Sequence, residues 1–290
     1  MSEPKWHHTI PRRYQAGFAH VAGGPLWRFE RSKQRIRRAN PENTAVRKHF
    51  YRWDKPGSVK PAAIETFLAD SVENPVWPVI DKLDRRETPD QLDRMRLAFF
   101  SAFLLARVSA FRASFDFQFA ATVVRHPDLA RDAAALDGLF EKTPSGLLIP
   151  SASKDQSLVM MVDIGMKVGR YLMTLDTHLL FSDPSEPFVT TDNPFGLVRI
   201  VDSGQEKGIM VPGFLKVVPL SAKTAVGFGE VGDTIWFTEV SAEKMRRNNR
   251  KLASQATEYV IAGSEKQLRA LVHDLPVEPP HPSTFPTELL

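Results

Sequence analysis

Leu97-Ala98-Phe99-Phe100-Ser101-Ala102-Phe103-Leu104-Leu105-Ala106-Arg107-Val108-Ser109-Ala110-Phe111 is the stretch on which the fold turns. Wound as a helix it is apolar all round, which places it inside a core. It is shorter than the ~20 apolar residues that cross a bilayer, and it carries Arg107. A buried helix is therefore expected, with no membrane partner. Just upstream, Thr88-Pro89-Asp90-Gln91 reads as its start. Thr88 caps, Pro89 suits the first helical position and Gln91 reaches back. The pattern predicts a helix to about Arg125.

Working outward, Ile64, Phe67, Leu68, Val72, Val76, Val79 and Leu83 have helical spacing, with interruptions expected at Pro75 and Pro78. Downstream, His126-Pro127 breaks the long helix and Asp128 opens a shorter one to about Glu141. Residues 142–150 read as a loop. Ser153 then opens a helix ending near Leu180, in which Gly165 and Gly169 permit close helix approach.

Beyond it the character changes. Phe188–Thr191, Leu197–Val201, Phe214–Val218, Thr224–Phe228 and Thr234–Thr238 are short β-prone runs, predicted to form an antiparallel meander. Ser241 opens a helix to about Tyr259, and Tyr259–Ala262 is a last strand. At the other end, Leu26–Phe29 and Arg35–Arg37 suggest a hairpin within an irregular segment. Helices first and a sheet later predict an α+β fold: an N-terminal hairpin segment, a central helical core, and a C-terminal antiparallel sheet with a closing helix. One domain is expected over residues 1–272, followed by a proline-rich disordered tail over 273–290.

The 290-residue chain has no cysteine, which removes disulfides, thiolate metal sites and cysteine nucleophiles. No apolar leader opens it, and cytoplasmic residence is expected. Charge is uneven. Residues 1–60 carry a net +10, whereas the remaining 230 carry −6. Such asymmetry fits a polyanion-binding face, or a basic segment packed on an acidic remainder. A Walker A loop, a GxGxxG after a strand, HExxH and GxSxG are all missing.

Three clusters can carry chemistry. His7-His8 with Tyr14 can supply a ligand or a general base, against a structural pairing with backbone. Asp192-Asn193-Pro194 closes a strand, where Asp192 can hold a cation or orient a histidine and Asn193 can bind an oxyanion. The competing reading there is a local Asx turn. The third is His49-Phe50-Tyr51 followed by Glu65 and Glu73. These glutamates, eight residues apart on a helix, lie about 12 Å apart along its axis, too far for one metal ion unless the helix bends at Pro75 or beyond, and each reads first as a solvated or ion-paired residue. Arg107 needs a partner in its apolar helix, with Glu65, Glu73 or Asp192 as candidates. The run Arg246-Arg247-Asn248-Asn249-Arg250-Lys251 reads first as a solvated helix face.

Taken in order, His7-His8-x-Ile10-Pro11, Tyr14, Phe18, Leu26-Trp27, His49-Phe50-Tyr51, the Glu65/Glu73 helix, Arg107, Phe188–Pro194, Pro219-Leu220-Ser221 and Asn248-Asn249 resemble domain-of-unknown-function family 4238. That largely bacterial family tends to have serine where Thr191 stands, and a tryptophan where this chain offers His178. The resemblance implies no established activity. It does imply that the His-His and Asp-Asn-Pro motifs belong to one site.

Two functions are expected in competition. The first is an enzyme acting on a phosphorylated or polyanionic substrate, such as metal-dependent phosphodiester hydrolysis. His7, His8, Asp192 and Asn193 would be catalytic, Arg107, Tyr14 and Glu73 would bind substrate, and a divalent metal is a possible cofactor. The second is a non-catalytic nucleic-acid-binding or protein-interaction protein with structural His/Asp locks. In both, residues 1–60 would meet nucleic acid or a phosphorylated ligand.

Overall fold

A computed structural model describes residues 6–19, 21, 23–53, 60, 62–111, 113–114, 140–142, 148–150, 154–199 and 210–280. It is an α+β protein with mixed sheets. The helical part begins with α1 (Arg12–Ala16) and resumes with α2 (Ala63–Phe67), a π-helical turn (Leu68–Glu73) and α3 (Asn74–Asp84). Winding changes at Pro75 without the chain breaking. The wide π turn lies immediately before the proline, whose missing N–H removes an i→i−4 bond.

The apolar stretch forms α4 (Gln91–Ala106). Its cap is Asp90, not Thr88. Asp93 N–H donates to Asp90 Oδ1 at 2.8 Å, and Asp90 N–H donates back to Asp93 Oδ2 at 3.2 Å. Two aspartates three apart satisfy both donors better than the threonine–glutamine pair could. The helix ends at Ala106, with Arg107 at its C-cap; the chain is helical again over residues 109–111 and 113–114, and residues 115–125 lie outside the described residues. The expected His126-Pro127 break and the helix from Asp128 up to residue 139 lie outside the described residues. Where that helix end and a loop were expected, β5 (Phe140–Lys142) and β6 (Leu148–Pro150) pair as antiparallel strands.

α5 (Lys154–Leu172) also stops early, because Leu175–Ser182 is strand β7. Leu172, Leu175 and Leu179 fit a helical stripe. Leu175, Thr177, Leu179 and Phe181 fit a strand equally, and all four are buried. β7 is interior to a five-stranded sheet of order β12-β7-β11-β10-β9, with β9 (Gly196–Arg199), β10 (Phe214–Pro219), β11 (Thr224–Val231) and β12 (Ile235–Val240). The meander is not wholly antiparallel, since β12 pairs with β7 in parallel. The turn that carries the chain across the start of β7 is tied there. Gly232 N–H donates to Thr174 O at 3.0 Å and Thr234 N–H to Asp176 Oδ1 at 2.8 Å. A Cβ on Gly232 would lie 2.1 Å from that Asp176 oxygen, so a side chain there would displace the carboxylate that ties the turn.

A second sheet joins the two ends of the chain. β2 (Leu26–Glu30) and β3 (Arg35–Ala39) form the expected hairpin, and β13 (Tyr259–Ala262) pairs with β2 on one side and with β8 (Thr190–Thr191) on the other. α6 (Ala242–Gln255) and α7 (Glu265–Val272) cover this sheet, with Leu252, Val260 and Leu268 in a small core. α6 ends at Gln255 rather than near Tyr259. Arg31 Nε donates to Pro276 O at 2.9 Å, and residues 281–290 lie outside the described residues.

The main core lies between α4 and α5 and the larger sheet. Both expected glycines are at the helix contact. A Cβ on Gly165 would come 2.6 Å from Phe103, and one on Gly169 would come 2.5 Å from Phe99. Phe103 is 1% exposed and cannot swing aside. Gly165→Val should therefore cost about 1–3 kcal/mol by overpacking, read from the urea midpoint. An unchanged midpoint would mean that the helices do not meet there.

Candidate functional site

β1 (Trp6–His8) pairs with β4 (Val46–Lys48), so its alternate side chains face opposite ways. His7 points inward and is 2% exposed. Its Nδ1 accepts the Tyr51 N–H at 2.7 Å, which leaves the ring proton on Nε2, 3.4 Å from Glu65 Oε2. The imidazole lies parallel to the Tyr51 ring, with centroids 5.7 Å apart. His8 faces the other way, its Nε2 donating to Pro41 O at 3.2 Å.

Next to this pair sits Arg107, buried at the end of α4. Its three nitrogens reach three elements: Nη1 to Glu73 Oε1 at 2.5 Å, Nε to Tyr51 Oη at 3.0 Å, and Nη2 to His8 O at 2.8 Å. Glu73 ends the π turn and Glu65 precedes it. The deformed helix thus presents one glutamate to Arg107 and the other to His7. Burial, chiefly, raises the Glu65 carboxyl above its ordinary range; His7 pulls it down, and Glu73 adds to the rise. Burial likewise raises the Tyr51 phenol. A cavity beside Arg107, bordered by Phe50, Phe111 and Met161, measures about 20 Å³, room for roughly one water.

Asp192 belongs to a different network. It is buried at the end of β8 and accepts from the N–H of Thr257 (3.1 Å), Glu258 (3.0 Å) and Tyr259 (3.3 Å), and from the Thr257 hydroxyl. That carboxylate folds the chain back from α6 into β13. Burial pushes its pKa up to about 6, against the pull of those donors. Asn193 N–H donates to Thr191 Oγ1 at 3.0 Å, while Asn193 Oδ1 is buried without a partner among the described residues. Tyr14, from α1, donates to Pro219 O at 2.7 Å and lies 3.0 Å from Thr190 Oγ1.

The sequence-derived candidates therefore sort into two groups. His7, Glu65, Glu73 and Arg107 meet through Tyr51, whereas Asp192, Asn193 and Tyr14 sit at the strand ends around β8. Asp192 is satisfied by Thr257, Glu258 and Tyr259, and of the partners considered for Arg107 it is Glu73 that pairs. Among the described residues, no group of three or more His, Asp or Glu side chains is placed to hold a metal ion. Tyr51, from the His49-Phe50-Tyr51 segment, and Thr257 carry these networks. Thr257 is not among the sequence candidates, because a threonine after a helix gives no chemical signal of its own.

Much of the basic charge in residues 1–60 is already engaged. Arg28, Lys33 and Arg37 converge on Glu30. Arg12 pairs with Glu42, Arg13 with Asp81 and Arg47 with Glu258. Arg31 donates to the Ser254, Ala256 and Pro276 carbonyls. A further set of exposed cations lies on α6. Lys244, Arg247, Arg250 and Lys251 are exposed, and none forms an ion pair among the described residues. Beneath them Asn249 anchors the helix, accepting from Val189 N–H at 3.3 Å and donating to Pro187 O at 2.9 Å.

Fold and motifs together define an α+β protein knit by buried polar ties between its first, middle and last elements. The chain belongs to the family described as Protein of unknown function (DUF4238), whose model matches residues 6–266. No curated protein and no solved structure matches it. Among the described residues, no helix is long and apolar enough to cross a membrane.

The Asp192 tie has a pH signature. Its folded pKa of about 6 lies above its ordinary 3.8, so the folded state holds the extra proton between those values. That contribution is fully present below the ordinary pKa and is lost as pH rises through about 6. Relative to Asp192→Asn, the wild type should gain about 2–3 kcal/mol of unfolding free energy as pH falls from ~7 to ~4. Parallel pH profiles for the two proteins would contradict this.

Proposed function

We propose that this protein is a binding protein for phosphorylated, polyanionic ligands, and that the exposed face of α6 is the contact. The supporting observation is the set of unpaired cations Lys244, Arg247, Arg250 and Lys251 on a helix held down by buried Asn249. Residues 244, 247 and 251 share one side of a helix, and 250 lies on the adjacent row. A helix so anchored presents its charges at little further ordering cost. In this reading His7, Arg107 and Asp192 are structural. Their polar atoms are taken by other residues, and the space beside Arg107 is too small for a substrate.

Four phosphate contacts on a single strand predict that log affinity falls with log salt at a slope of about −3. Binding of a short single-stranded oligonucleotide, followed by fluorescence anisotropy, should show that slope. The Arg247→Glu/Lys251→Glu variant should bind at least about tenfold more weakly with an unchanged melting temperature. Affinity indifferent to salt would end this reading.

One observation favours acid–base catalysis as a second reading. Glu65 carries a raised pKa beside His7, and its side chain is 31% exposed. That combination suits a general acid or base. Under it, bis(p-nitrophenyl) phosphate should be turned over and Glu65→Gln should abolish turnover without lowering the melting temperature. A wild-type protein inert with and without divalent cations would remove this reading.

A further inference from the structure

Between α6 and the larger sheet lies a cavity of about 260 Å³. Its walls are aliphatic and aromatic: Phe188, Leu197, Leu215, Val217, Val240 and Leu252. Its rim is formed by Lys244, Arg247 and Lys251, three of the unpaired cations just described. Gln255 also borders it, and Gln255 Oε1 is buried without a hydrogen-bond partner among the described residues.

The volume exceeds the ~150 Å³ at which an apolar cavity stays dry and takes up an aromatic guest. Close-packed interiors do not keep such a space without cost, because the lining atoms lose their dispersion partners. Strands β9 and β10 supply the floor. Gly196 borders the cavity, and a Cβ there would lie 4.0 Å from Leu252 Cδ1, an ordinary van der Waals contact. The wall chemistry calls for a hydrocarbon chain, and the rim calls for a multiply charged anion attached to it.

We infer that the cavity beneath α6 binds a soluble amphipathic phosphate ester, with its hydrocarbon chain inside and its phosphate or diphosphate head on Lys244, Arg247 and Lys251. The inference rests on the anion-binding reading of α6 and names the ligand class for that face. Hydrophobic burial supplies affinity in proportion to the apolar area removed from water, while the cations fix which end stays outside. Neither part alone should bind well.

Geranyl diphosphate is a suitable probe, with inorganic pyrophosphate as its head and geraniol as its tail. Isothermal titration with the full chain should give at least about tenfold tighter binding for geranyl diphosphate than for either fragment. Val198, half-buried at the cavity edge, offers a way to fill it. Val198→Trp should reduce geranyl diphosphate to the affinity of pyrophosphate and leave pyrophosphate unchanged. The surface variant Arg247→Ala/Lys251→Ala should weaken both phosphates without disturbing the fold. If geranyl diphosphate binds no tighter than pyrophosphate while the oligonucleotide still binds, the cavity inference fails and the binding function stands. If neither phosphate nor the oligonucleotide binds, both fail. A dimer in light scattering that Val198→Trp dissociates would assign the cavity to a second copy of the chain and overturn the inference.

Discussion

One buried guanidinium holds the ends of this protein's helical half together. Arg107 closes α4, and its nitrogens reach Glu73 on the π turn, Tyr51 after β4, and the main chain of His8 in β1. Much of the remaining contact with the helical core is apolar, which is strong but not directional. A charge in that position restricts the alternatives. Taking away one partner leaves the other desolvated and unpaired, at a cost of about 3–5 kcal/mol. The first strand, the irregular segment and the deformed helix are therefore joined through Arg107, with His7 bridging Tyr51 and Glu65 beside it.

The same device recurs around the sheets. Asp192 turns α6 into β13, and Asn249 pins α6 to the strand that leads into β8. Ser221 and Thr224 both donate to Asp84 Oδ1 at 2.7 Å, tying the end of α3 to the β10–β11 turn. Tyr14 donates to Pro219 O beside them. Several polar residues of the family resemblance, His7, Tyr14, Glu73, Arg107, Asp192, Ser221 and Asn249, tie distant parts of the chain together. A polar residue in such a tie needs a particular donor or acceptor geometry, which explains its type without any chemistry on a substrate.

How much of this could be read beforehand depended on how local the cause was. The β2–β3 hairpin, the apolar α4 and the close-approach glycines follow from neighbouring residues and appear as expected. β7 was hidden because Leu172, Leu175 and Leu179 satisfy a helical period, and only burial of Thr177 and Phe181 discriminates. The parallel placement of β12 depends on Asp176 catching the next turn, a contact some sixty residues away along the chain. For the polar residues, the types were legible and the partners were not. The choice of Glu73 by Arg107 depends on the π turn, and part of the basic charge of residues 1–60 is engaged by Glu30, Glu42, Asp81 and Glu258. Four exposed cations without ion pairs among the described residues cluster on α6, where a run of charge reads first as a solvated face.

Where a ligand lands distinguishes ties from an active site. Hydrogen–deuterium exchange with and without a saturating single-stranded oligonucleotide maps that directly, because bound segments open less often. Protection concentrated on residues 242–255, with 6–8 and 63–73 unchanged, is the predicted result. Protection centred on 6–8 and 63–73, with 242–255 unchanged, would contradict it and return His7, Glu65 and Glu73 to the role of an active site.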